Sequence, residues 1–186
     1  MWYQLDYFAA TVRPLKTWMK FGVRVMAVLA VFLAAGLRSA HAEIKVGDAF
    51  PDLRSVALDG GVVPETEGRV TLVDFWASWC APCKASFPAF ARLNTAYADR
   101  GLVIVAVSVD ETKSAYQAFV KRWHPPFPAL LDEGQKLVTA VKVPTMPTSY
   151  LIGRDGRVRF VHSGFHGAET EELLRRHIDA VLGEQP

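Results

Sequence analysis

Two residues of this 186-residue chain can carry redox chemistry, Cys80 and Cys83, and they are its only cysteines. They lie where the apolar run Val73-Asp74-Phe75-Trp76-Ala77 gives way to Ser78-Trp79-Cys80-Ala81-Pro82-Cys83-Lys84, a strand pattern meeting the start of a helix. In a helix that begins at Cys80, the residue three positions on has its Cα roughly 5 Å away, inside the 4.4–6.8 Å window a disulfide tolerates. A bond between the two sulfurs then opens and closes with little backbone movement. The first cysteine of such a turn also faces unpaired N–H groups and the positive end of the helix dipole, which stabilise a thiolate and lower its pKa from about 8.5 toward 7 or below. The spacing predicts Cys80 as the nucleophile and Cys83 as the resolving thiol. A structural zinc site usually takes four ligands, from a second cysteine pair or from spaced histidines, and the chain supplies neither. A purely structural bridge over so short a loop would restrain the unfolded chain little.

Asp74 is the second candidate, a carboxyl group in the middle of a strand pattern whose neighbours Leu72, Val73, Phe75 and Trp76 are apolar. Burial there raises its pKa and makes it a proton acceptor near neutral pH; on pattern alone, a solvent-facing aspartate on an edge strand is the competing reading. Trp79, immediately before the nucleophile, reads as a partly exposed ring shaping a substrate surface. Trp76 reads as packing beside the dithiol or as ordinary core. The histidines at 124, 162, 166 and 177 show no metal-ligand spacing and read as exposed or capping residues.

The elements that must hold these residues follow from the periodicity. Residues 53–63 read as a hairpin turned by Asp59-Gly60-Gly61, and residues 70–77 as a strand. Phe87, Phe90, Leu93 and Tyr97 then fall on one helical face before Arg100-Gly101 ends the helix. Residues 102–109 are nearly continuous Val, Ile, Leu and Ala, as expected of a parallel strand covered on both faces. A helix over residues 114–122, a short strand at 129–131 and a helix around 134–141 fill the stretch up to Met146. A hairpin about Arg154-Asp155-Gly156 and an amphipathic helix over 169–182 close the domain.

The N-terminal 42 residues read as targeting sequence. Arg13, Lys16, Lys20 and Arg24 precede a short apolar stretch over residues 25–37, and Ala40-His41-Ala42 fits a small-x-small cleavage site before Glu43. The stretch is short of the ~20 residues that span a bilayer, so a cleaved signal peptide is the first expectation and an uncleaved membrane tether the alternative. Translation from Met19 would leave a signal peptide of more ordinary length. The whole chain carries 21 Lys and Arg against 19 Asp and Glu; residues 1–42 hold five and one of these, leaving 16 and 18 on residues 43–186. That slightly acidic remainder excludes nucleic-acid binding by charge, and export would bring the dithiol into a compartment where disulfides persist.

The run Val-Asp-Phe-Trp-Ala-Ser-Trp-Cys-Ala-Pro-Cys-Lys resembles the active-site segment of thioredoxin-fold proteins. Pro88, five residues after Cys83, matches the kinking proline of the thioredoxin helix, and Met146-Pro147-Thr148, just before an apolar strand, resembles the family's cis-proline loop. Gly47-Asp48-Ala49-Phe50-Pro51-Asp52-Leu53 with Leu58-Asp59-Gly60 is similar to the N-terminal hairpin of the periplasmic TlpA and ResA branch, and the surplus residues before Met146 match that branch's βα insertion. The resemblance covers roughly residues 45–182. It implies an α/β thioredoxin fold over residues 43–186, with a mixed central sheet flanked by helices, an N-terminal hairpin and a βα insertion. It further implies a periplasmic thiol-disulfide oxidoreductase of reducing direction, replenished by a membrane thiol donor and acting on disulfide-bearing exported proteins such as apocytochrome c or copper-site assembly proteins. Neither metal nor organic cofactor enters that chemistry. In the family the aspartate at position 74 takes part in proton transfer with the buried cysteine, and the cis-proline loop, here Met146 and Pro147, offers main chain to an extended substrate. Many TlpA and ResA relatives instead have asparagine at the first position and glutamate three residues after the second cysteine, where this chain has Asp74 and Ser86. A copper-binding assembly protein of the thioredoxin-fold Sco group is the competing function, although that group resembles CxxxC with a placed histidine rather than CxxC.

Overall fold

The computed structural model describes residues 43–184, so the targeting segment expected over residues 1–42 lies outside the described residues. Six strands form one sheet: β1 (Leu58–Asp59), β2 (Val70–Trp76), β3 (Leu102–Ser108), β4 (Ala129–Asp132), β5 (Thr148–Ile152) and β6 (Val158–Ser163). Their spatial order is β1-β4-β3-β2-β5-β6. Among the described residues four α-helices accompany them, α1 (Ala81–Tyr97), α2 (Lys113–Trp123), α3 (Lys136–Val141) and α4 (Ala168–Leu182). This is the mixed, helix-flanked thioredoxin-type sheet that the resemblance implied.

β2 is central, and all seven of its residues are buried, which is why its sequence shows no polar alternation. It runs parallel to β3, with Asp74 opposite Ala106, and antiparallel to β5, with Asp74 opposite Ser149. The Trp76 ring meets Phe87 of α1 at 4.9 Å and Phe119 of α2 at 4.4 Å, so both helices cover the sheet face that carries Asp74 and Trp76. Tyr97 of α1 donates a hydrogen bond to Asp179 of α4 at 3.1 Å, which brings α4 onto that face as well. The opposite face carries Phe75 and Tyr150, with Phe50 packed on the Tyr150 ring at 5.4 Å.

The apolar stripe of α1 is buried as its spacing required, with Phe87, Phe90, Leu93 and Tyr97 all nearly inaccessible and Pro88 inside the helix. Between β3 and β5 lie α2, β4 and α3, so the expected βα insertion is present. The buried Asp132 at the end of β4 fixes the start of α3 by accepting hydrogen bonds from the N–H groups of Lys136, Leu137 and Val138 at 2.8–3.1 Å.

The hairpin expected over residues 53–63 does not form. Leu53–Ser55 makes a single 3-10 turn, and β1 pairs antiparallel with β4 rather than with a following strand. The segment is anchored on the insertion instead of on itself: Lys113 pairs with Asp59, and the Tyr116 hydroxyl fills the space beside Gly60, where a Cβ would lie 2.0 Å from it. Gly60 has φ +94°, so both the backbone and the close approach require glycine there.

Candidate active site

β2 delivers the chain to the dithiol. After Trp76 the backbone turns through Ala77-Ser78-Trp79, and the Cys80 N–H bonds the Ala77 carbonyl at 3.1 Å. Cys80 is the N-cap residue of α1 in an extended conformation, and its sulfur accepts the Cys83 N–H at 3.2 Å. Ala81-Pro82 follow at the first helical positions, where a missing N–H costs no helical hydrogen bond. The sulfurs are joined, with the Cα atoms 5.3 Å apart, so this is the oxidised state and the separation is the one the spacing predicted. Cys83 is fully buried and Cys80 is 5 % exposed. An incoming group therefore meets Cys80 first, at a helix N-terminus whose N–H already points at its sulfur.

A carboxylate that the sequence reading missed holds this turn in place. Asp110, just past β3 and 4 % exposed, accepts hydrogen bonds from the Ser78 N–H at 3.1 Å, the Ser78 hydroxyl at 2.8 Å and the Ser108 hydroxyl at 2.8 Å. The loop leading into Cys80 is thus bolted to the neighbouring strand through a residue 32 positions away. Nothing local in the sequence marks that contact; an acid directly after a buried strand and two hydroxyls in pairing range were the available signal.

Asp74 is wholly buried on β2, which removes the exposed-edge reading. Its Oδ1 accepts the Ser149 hydroxyl at 2.6 Å, whereas its Oδ2 is buried without a hydrogen-bond partner. Desolvation pushes its pKa up to about 8, and the Ser149 hydrogen bond offsets only part of that rise. At neutral pH the carboxyl therefore carries its proton in the oxidised protein. It projects from the face that α1 covers, one pleat before Trp76.

The Met146-Pro147 peptide is cis, as expected of that loop. Pairing of Phe75 with Thr148 brings the loop to the end of β2 from which the Cys80 turn springs. The Gly164 N–H fixes it through the Pro147 carbonyl at 2.8 Å. Trp79 is 68 % exposed beside Cys80, whereas Trp76 is core, clasped by Phe87 and Phe119. The chemistry accordingly sits on an open surface; a cavity of about 470 Å³ lined by Thr71, Val73, Ile152 and Arg154 lies at the opposite end of β2 and β5. Among the described residues, no three His, Cys, Asp or Glu side chains are grouped to hold a metal ion. The histidines depart from expectation at one place: His162 is buried, 3.2 Å from His177.

A dithiol at the N-terminus of a helix, beside a cis-proline loop on a sheet of this order, defines a thioredoxin-fold thiol-disulfide oxidoreductase. Known proteins agree. The Redoxin family pattern matches residues 45–176. A thiol-disulfide oxidoreductase ResA of Bacillus cereus is 30% identical over 141 residues, covering 75% of this chain and 80% of that protein; ResA of Oceanobacillus iheyensis is 29% identical over 167 residues, 87% and 85% of the two chains. The crystal structure described as a thiol:disulfide interchange protein DsbE from Chlorobium tepidum superposes with a TM-score of 0.70 at 36% identity, covering 76% of this chain and all of that one. StoA from Bacillus subtilis gives 0.53 at 27%, over 60% of this chain and 83% of its own. The chain belongs to the Redoxin family.

Proposed function

We propose that the protein reduces disulfides of exported proteins in the periplasm, with Cys80 as nucleophile, Cys83 as resolving thiol and Asp74 as proton acceptor. The observation that carries this is Cys80 capping α1 with its sulfur on the Cys83 N–H, above a fully buried Cys83. The Cys80 thiolate attacks one substrate sulfur, forming a mixed disulfide and expelling the other as thiolate. Asp74 in its ionised form takes the Cys83 proton, and the Cys83 thiolate displaces the substrate from Cys80. The substrate gains two electrons and the protein ends as the disulfide seen here, with the proton on Asp74. Trp79 offers an exposed ring, and Met146 and Pro147 a fixed main-chain edge, to an extended substrate segment. A thiol donor at the membrane then returns the disulfide to the dithiol.

Apocytochrome c and copper-site assembly proteins are the substrate classes that the resemblance to the ResA branch suggests. Residues 1–42 serve as the export signal in this reading, cut before Glu43, with a retained tether as the alternative. Among the described residues no helix is long and apolar enough to cross a membrane. The test is covalent capture: with Cys83→Ala, exported proteins should accumulate as mixed disulfides on Cys80, and with Cys80→Ser none should. Capture on a Cys80→Ser protein would reverse the two roles.

A further inference from the structure

The register of the sheet sets a row of polar side chains across three strands. Asp74 on β2 pairs with Ser149 on β5, and Ser149 pairs with His162 on β6. Directly paired residues project from one face with Cβ atoms about 4.5–5.5 Å apart. All three are buried. The adjacent row on the same face, Leu72, Leu151 and Phe160, is wholly apolar. The polar row is thus single file, and hydrogen bonding marks both of its ends: Ser149 Oγ donates to Asp74 Oδ1 at 2.6 Å, and His162 Nε2 lies 3.2 Å from Nδ1 of His177 on α4. Phe160 stacks on the His177 ring at 3.7 Å, holding its orientation, and His177 is half-buried.

We propose that this row is the proton route between Asp74 and solvent, with Ser149 and His162 as internal carriers and His177 as the outer end. The proposal builds on Asp74 as the base for Cys83 and supplies what that reading lacks. A carboxyl that has taken a proton must lose it before the next turnover, and Asp74 is wholly buried. Each group in the row both donates and accepts, so the transfer balances. Once the Ser149 hydroxyl turns from Asp74 toward its cross-strand partner His162, a proton leaving Asp74 Oδ1 passes to Ser149 Oγ, whose own proton goes to His162 Nδ1. The His162 Nε2 proton goes to His177 Nδ1, and the His177 Nε2 proton goes to water. One proton moves outward, no electron is transferred, and rotation of the hydroxyl and tautomer exchange of the rings reset the row. Neutral imidazoles are required. Burial, with the neighbouring His177, pushes His162 down to about 4, and burial with the Arg176 charge lowers His177. Ser149 from β5 and Phe160 on β6 also stand against the rings, and neither is charged.

The decisive measurement is hydrogen–deuterium exchange at the Asp74 carboxyl, read as the shift of its C=O infrared band in the oxidised protein on transfer to D2O, with Asp74→Asn identifying the band. Ser149→Ala and His177→Ala should each slow that exchange about tenfold or more, and free imidazole should restore it in His177→Ala. A variant that was merely loosened would exchange faster through local opening, so slowing separates a route from a structural role. Exchange as fast as wild type, or faster, in both variants would overturn the route, whatever Asp74→Asn does to turnover. Slowed exchange together with normal Cys83 resolution in Asp74→Asn would keep the route and remove Asp74 as the base.

Discussion

Replacing Asp74 by asparagine puts the electrostatics of the site on a stability scale. The carboxyl is completely buried, and desolvation raises its pKa from the ordinary 3.8 to about 8. A carboxyl that holds its proton more tightly when folded contributes stability that is fully present below about pH 4 and is lost as pH rises toward 8. About three pH units separate 3.8 from neutrality, each worth about 1.4 kcal/mol, so roughly 4 kcal/mol is held against the oxidised fold at pH 7. Asparagine keeps the shape and cannot ionise. Asp74→Asn should therefore be more stable by roughly 4 kcal/mol at pH 7 and by only about 1–2 kcal/mol at pH 5. In thermal melting the pH 7 difference corresponds to about 10–15 °C. His162 acts in the other sense: its pKa is depressed from 6.5 to about 4, so its contribution is present above pH 6.5 and is lost as pH falls through 4. The two effects oppose each other between pH 4 and 6.5. Wild type should accordingly be nearly level there and weaken from pH 6.5 to 8, whereas Asp74→Asn should gain stability up to pH 6.5 and then stay level. Urea unfolding of both oxidised proteins across pH 5–8.5, followed by tryptophan fluorescence, measures this. A difference that is constant across that range, or a variant weaker than wild type at pH 8, would refute the assignment of a buried ionisable carboxyl.

Three further outcomes are expected. Cys80→Ser should abolish reduction of a small aromatic disulfide, whereas Cys83→Ala should release one equivalent of the coloured thiol and stop, as stopped-flow absorbance would record. Asp110→Ala should cost roughly 2–4 kcal/mol in chemical unfolding, because it strips charge-assisted hydrogen bonds from the Ser78 turn, and should slow the first attack by Cys80; an unaltered burst would separate the turn from the chemistry. N-terminal sequencing of the exported protein should begin at Glu43, and a sequence starting upstream of Val25 would favour the tether.

What the sequence disclosed and what it concealed divide along physical lines. β2, β3 and α1 were legible because burial imposes a pattern on every residue: an unbroken apolar run in β3, a 3.6-residue stripe in α1. The dithiol was legible because disulfide chemistry tolerates few spacings. The hairpin over residues 53–63 was misread because Asp59-Gly60-Gly61 has turn chemistry that suits a hairpin and a docked loop equally. The choice was made by Tyr116 and Lys113, more than fifty residues on. Ser149, Asp110 and His162 stayed hidden for the same reason. Each is an ordinary polar residue whose meaning lies in its cross-strand or cross-loop partner, and sheet register is a non-local property.

That non-locality also bears on why the acid stands on a strand. A carboxyl in the first turn of α1 would face the helix N-terminus, whose dipole and free N–H groups favour the ionised form and hold its pKa down. Ser86, one turn into α1, is instead fully buried with its hydroxyl on the Cys83 carbonyl, so that position supplies no carboxyl. On β2 the carboxyl meets apolar neighbours along its own strand, and one hydroxyl on the next strand is its hydrogen-bond partner. Desolvation then governs, and the pKa moves up toward neutrality, where a base can both take and give up a proton. A strand position also carries cross-strand neighbours at fixed spacing, which a helix position does not. The same register that buries Asp74 lines Ser149 and His162 up beside it, so in the proposed mechanism one location serves both the base and its route to the surface.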